Sequence, residues 1–130
     1  MPWKVDLDTE RGFIHSVYSG AVTKKDIWAG TAETLRLAAG RGPQKFFTEW
    51  IDATSDLSTM DIFVIPDEWE AAGIDRRSVL ALVVERDTPY REDAVFYENA
   101  CRNRGWRVRV FFDRNEAIDW LQEQAIGETE

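Results

Sequence analysis

The run VLALVV, Val79 to Val84, is apolar at every position and closes on Glu85. A strand with one wet face alternates apolar and polar residues, so an unbroken run of this length fits a central strand covered on both faces. Sheets of that kind are largely parallel, and parallel neighbours need helical crossovers between them. The flanking sequence supplies them. "WKVDL" (Trp3 to Leu7) alternates as a half-buried strand, "ERG" turns the chain, and "FIHSVYS" (Phe13 to Ser19) reads as the second arm of a hairpin that Gly20 ends. Thr23 with Asp26 three residues on is a capping-box start, and the helix it opens runs to about Ala39 with Ile27, Trp28, Leu35 and Ala38 inward. Gly30 weakens that helix by about 1 kcal/mol relative to Ala.

"KFFTEWID" is a third strand. Its Glu49 falls in period with Phe47 and Ile51, which predicts either a face that is not wholly dry or a position near an edge. Thr88 as cap and Pro89 at the first helical position predict a helix to about Arg104, stopped by Gly105. "WRVRVFF" is the last strand. Asp113 caps a final helix whose buried stripe is Ala117, Ile118, Leu121 and Ala125. The expected class is α/β: one domain, 1–130, with a mixed, mostly parallel sheet of about five strands and about four helices in the order ββαβ(α)βαβα.

Charge narrows the functional classes. Lys and Arg number 16 against 24 Asp and Glu, a formal net charge of −8 and a pI of about 4.7. That balance argues against nucleic acid as partner. No apolar run is long enough for a transmembrane segment, and no secretion signal opens the chain, so a cytoplasmic location is expected. The charges are also segregated. Residues 46–75 carry eight acids and no Lys or Arg, whereas "ACRNRGWRVRVFFDR" (100–114) carries Arg102, Arg104, Arg107, Arg109 and Arg114. Arg102 and Arg104 fall in the last turn of a helix, where cations face the negative end of its dipole. Arg107 and Arg109 share one face of a strand, opposite Trp106, Val108 and Val110. The expected role is a solvated face; the alternative is an anion or protein-partner surface on Arg102, Arg104, Arg107 and Arg109. Opposite charges on 46–75 and 102–114 also suit a two-fold pairing, hence an expected homodimer.

Signatures of catalysis are missing. Cys101 is the one cysteine and His15 the one histidine, so no metal or cofactor is expected, and neither residue sits in a nucleophile pattern. The glycines match no nucleotide-binding fingerprint. A non-enzymatic role is expected.

Residues 53–75 resist a single reading. Ile62, Phe63, Val64 and Ile65 run directly into Pro66, and Ile65, Trp69 and Ala72 share a face if helix resumes there. A buried strand, a short helix packed as ordinary core, and a mobile amphipathic element over an apolar pocket all fit.

The element order, with "YSGAVTKKDI", "WIDATSDLSTMD", "LALVVE" and "GWRVRVFFDRNEAIDWL", resembles the SpoIIAA-like family, a relative of the STAS (anti-anti-sigma) fold, over nearly the whole chain. The resemblance implies a mixed sheet with packed helices and no catalysis. Anti-anti-sigma proteins carry a phosphorylatable serine after an Asp at the second helix; the matching place here is Asp61-Ile62-Phe63, without that serine. The wider group is similar to CRAL-TRIO lipid-binding modules, which implies an apolar cavity beneath a movable helix. Two functions are therefore expected. The first is a module binding an apolar small molecule or lipid through Ile62, Phe63, Ile65 and Trp69, within a movable segment 60–72. The second is a protein–protein regulator of anti-anti-sigma type.

Overall fold

The computed structural model describes residues 2–126; Met1 and 127–130 of the expected domain lie outside the described residues. The elements are β1 (Trp3–Asp8), β2 (Phe13–Val22), α1 (Lys24–Ala38), β3 (Lys45–Ser55), α2 (Thr59–Ala71), β4 (Val79–Val83), α3 (Arg91–Asn103), β5 (Arg107–Phe111) and α4 (Arg114–Glu123). The class is α/β, and the order is ββαβαβαβα, as expected. The strands lie side by side in chain order, β1 antiparallel to β2 and the rest parallel.

That order has a geometric consequence. Each parallel crossover steps the same way across the sheet, and right-handed crossovers stepping one way stack their helices on one face. Accordingly Ala38 of α1, Trp69 of α2 and Ala94 and Cys101 of α3 pack on Ile14, Phe46, Leu80, Leu82 and Val108. Of the described helices, α4 alone returns beneath the sheet, where Ala117 and Leu121 meet Phe13, Phe47, Val79, Ala81 and Phe111. The β4 run is apolar at every position because its residues feed both cores.

Two of the three expected caps hold: Thr23 and Asp26 form the capping box of α1, and the Asp113 carboxylate accepts the Glu116 N–H. Elsewhere the structure corrects the expectations. β2 does not stop at Gly20. Gly20 takes a positive φ, the register shifts beside it, and Asp52 of β3 becomes the extra residue of a bulge at φ 48. Its freed N–H donates to Glu85 Oε1 at 3.1 Å. Helix α3 starts at Arg91, later than Pro89, because the Thr88 hydroxyl accepts from Tyr90 N–H two residues on and holds a turn there. Ala125 lies past the end of α4 and is exposed.

The largest correction is α2. It runs unbroken through Pro66, opened by a capping box in which Ser58 and Asp61 satisfy each other's backbone N–H. An interior proline costs about 3 kcal/mol. Complete burial of Pro66 beside Ile62 and Ile65 offsets that cost.

Candidate functional site

The helix-bearing face is not filled. Between β2, β3 and β4 below and α1, α2 and α3 above lies a cavity of about 150 Å³. Its floor carries Ser16 and Thr48, register partners on β2 and β3, among Phe46, Leu80 and Leu82. One wall is the Tyr18 ring stacked on Trp50, centroids 5.0 Å apart. Gly30 makes this wall fit, since a Cβ there would collide with the Tyr18 hydroxyl. Burial pushes the Tyr18 hydroxyl up to about 12, although its hydrogen bond to Thr31 pulls the other way. It stays a neutral phenol.

The roof is α2. Ile62, Ile65 and Trp69 follow a helical stripe and all line the cavity; Trp69 is steadied edge-on by Tyr97 and by Trp106 at 5.3 Å. Phe63 points elsewhere. It is 43% exposed on the outer side of α2, under Arg104 and beside Phe96. The structure thus brings three of the four predicted apolar residues to one cavity and separates the fourth. Sequence reasoning missed Tyr18, Trp50, Ser16 and Thr48. The readable signal was a polar residue at an inward position of each of two neighbouring strands.

Two features give the cavity polar character. Ser16 Oγ and Thr48 Oγ1 are 3.4 Å apart and have no other partner among the described residues. Only one of the two protons can serve that contact, so the floor keeps a hydroxyl donor for something else. At the rim, Glu85 and Asp93 sit beside Thr88 and Tyr90; Asp93 is half-buried and forms no hydrogen bond or ion pair with a described residue. The rim is therefore negative.

The arginines are dispersed rather than gathered. Arg104 docks α2: its guanidinium lies 4.2 Å over the Phe63 ring, donates to the Phe63 carbonyl at 2.5 Å and pairs with Asp67 at 3.5 Å. Its own carbonyl accepts from Arg76, whose side chain also covers Trp106. Arg102 Nε donates to the Val108 carbonyl at 2.9 Å, and Glu98 accepts the Val110 N–H at 2.8 Å. Two side chains of α3 thereby close the outer edge of β5. Arg107 binds the Ala125 carbonyl beyond α4, and Arg109 lies over Phe111. Arg102, Arg104 and Arg107 each have intrachain partners.

Arg114 belongs to a second cluster, under the sheet. Glu49 is not on an edge: it sits on the middle strand, 5% exposed, between His15 Nε2 at 2.5 Å and Arg114 Nε at 2.9 Å. A carboxylate only accepts, so His15 Nε2 carries a proton and donates it to Glu49. Burial would raise the Glu49 carboxyl, but the hydrogen bonds from His15 and Arg114 outweigh it and hold it below the ordinary range. Cys101 is fully buried and in contact with Tyr97, and burial pushes its thiol up to about 12. It is protonated at neutral pH and inert as a nucleophile.

Among the described residues, no three His, Cys, Asp or Glu side chains gather as a metal site, and no helix is long and apolar enough to cross a membrane. Comparison of the chain with known protein families, curated proteins and solved structures finds no match.

Proposed function

We propose that the domain is a binding module for a small, mainly apolar molecule with a neutral or cationic polar end, and that it is a SpoIIAA-like relative of the STAS fold. The cavity beneath Ile62, Ile65 and Trp69 carries the reading. Its size sets the ligand class. A space of 150 Å³ is that of an engineered protein cavity that takes up benzene, whereas drug-sized ligands occupy about 300–1,000 Å³. A single ring or a short aliphatic chain fits as the helices stand, and a long acyl chain requires α2 to lift. The hydroxyls of Ser16 and Thr48 offer the ligand one hydrogen bond at the floor. Glu85 and Asp93 at the rim disfavour a carboxylate there. The mixed sheet with four helices is compatible with the STAS-like architecture and supports the family reading.

Native mass spectrometry with matched six-carbon alcohols, amines and carboxylates, beside single-ring aromatics and long-chain lipids, tests the reading. Trp50 and Trp69 line the cavity, so a saturable tryptophan fluorescence change should accompany a one-to-one adduct. Amines and alcohols should bind more tightly than the carboxylate. Absence of any saturable adduct and of any fluorescence change across the panel overturns the proposal.

A further inference from the structure

We infer that β1 is a self-association edge and that two copies of this chain join through it, β1 antiparallel to β1, into one continuous mixed sheet. The two ends of the sheet are treated differently. At the β5 end, Arg102 and Glu98 occupy the outward carbonyl of Val108 and the outward N–H of Val110. At the β1 end no element lies beyond the strand among the described residues.

The hydrogen-bond phase of β1 can be assigned. Ser19 N–H donates to the Pro2 carbonyl at 2.9 Å, and Pro2 stands opposite Ser19 by continuation of the Trp3–Tyr18 register. Antiparallel pairs alternate between bonded and non-bonded positions, so Pro2, Lys4, Asp6 and Asp8 face β2 with their backbone groups. Trp3, Val5 and Leu7 turn theirs outward, where β-augmentation requires them.

The side chains then fix one register. With the two-fold axis at Val5, Val5 meets Val5 of the second copy, Trp3 meets its Leu7, and Lys4 meets its Asp6. Trp3, Val5 and Leu7 fall at bonded pairs. Lys4 and Asp6 fall at non-bonded pairs, where opposed side chains come closest. Both are well exposed, with 76% and 61% of their side-chain surface open, and they share one face of the strand, 3.5 Å apart. Moving the axis one residue either way opposes Lys4 to Lys4 or Asp6 to Asp6. An edge lysine ordinarily discourages strand pairing, and here it does so in those registers while Asp6 relieves it in one. Trp3, Val5 and Leu7 are only half-buried against the helical layer, so pairing withdraws more of them from water.

Charge reversal tests the pairing. Lys4→Asp sets acid against acid at both symmetry-related pairs, and Asp6→Lys sets base against base. Sedimentation equilibrium should show the wild type above its 15.0 kDa monomer mass at micromolar concentration. Each single variant should dissociate at least about tenfold more readily. An equimolar mixture of the two should associate again, and so should the double variant Lys4→Asp/Asp6→Lys, because both restore opposite charges. Circular dichroism confirms that each variant is folded. A monomeric wild type at high micromolar concentration, association unchanged by either single reversal, or failure of the mixture to reassociate each overturns the inference.

Discussion

Glu49 is the one buried charge among the described residues, and its two partners come from far along the chain, His15 from β2 and Arg114 from the start of α4. Its carboxyl is held below the ordinary range, so the linkage has a definite sign. The stability it contributes is complete above the unfolded-state value of about 4.3 and disappears as the pH falls through the lower folded-state value. Glu49→Gln should therefore cost about 1–3 kcal/mol at neutral pH, because His15 and Arg114 lose a charged acceptor. The difference from wild type should shrink as the pH falls below about 4, where the Glu49 carboxylate is protonated first in the unfolded chain and, at lower pH, in the folded one. Urea unfolding at a series of pH values measures both. A difference that stays constant with pH means the ionised carboxylate is not what the cluster stabilises. The sequence marks Glu49 as anomalous between Phe47 and Ile51, but its partners depend on strand register and on the return of α4 beneath the sheet. Local pattern contains neither.

Among the elements, α2 is the least legible in the sequence and the most consequential in the fold. Ser58 and Asp61 repeat the cap logic of Thr23 and Asp26, which is legible at α1. At α2 Pro66 obscures it, since a proline inside an apolar run reads as a boundary until burial is known. Strand length is hidden for a similar reason: Gly20 alone signals a stop, but the parallel β2–β3 ladder carries it through a bulge. The cavity was legible only in its roof, where helical spacing groups Ile65 with Trp69; its floor emerges once Ser16 and Thr48 are placed side by side. Several contacts fasten the roof, among them the Lys24–Asp61 pair from α1 at 3.1 Å and the edge-on rings of Tyr97 and Trp106 against Trp69. Arg104 grips the Phe63 ring, the Phe63 carbonyl and Asp67 together. Arg104→Ala should loosen α2 by about 1–2 kcal/mol, the sum expected of a partly screened cation–π contact and a charged hydrogen bond. Amide exchange in 62–71 should accelerate by about tenfold or more while β4 amides keep their protection. Uniform acceleration across both elements would mean global destabilisation instead.

For the whole molecule, the monotonic strand order puts three helices on one face and one on the other, so the cavity and the Glu49 cluster occupy opposite sides of the sheet. The order also leaves β1 and β5 as its two ends, and only β5 is covered by side chains of α3. Joined through β1 as inferred above, such a sheet is, in the language of polymer chemistry, a monofunctional monomer. One reactive end permits coupling, and the blocked end terminates growth, so joined molecules stop at a pair and cannot extend into a fibre. Glu98→Ala/Arg102→Ala frees the Val108 carbonyl and Val110 N–H and makes the monomer bifunctional. Light scattering should then report species that lengthen with concentration, where the parent chain reaches a plateau. A plateau in the double variant would mean that the β5 edge is protected by something other than these two side chains.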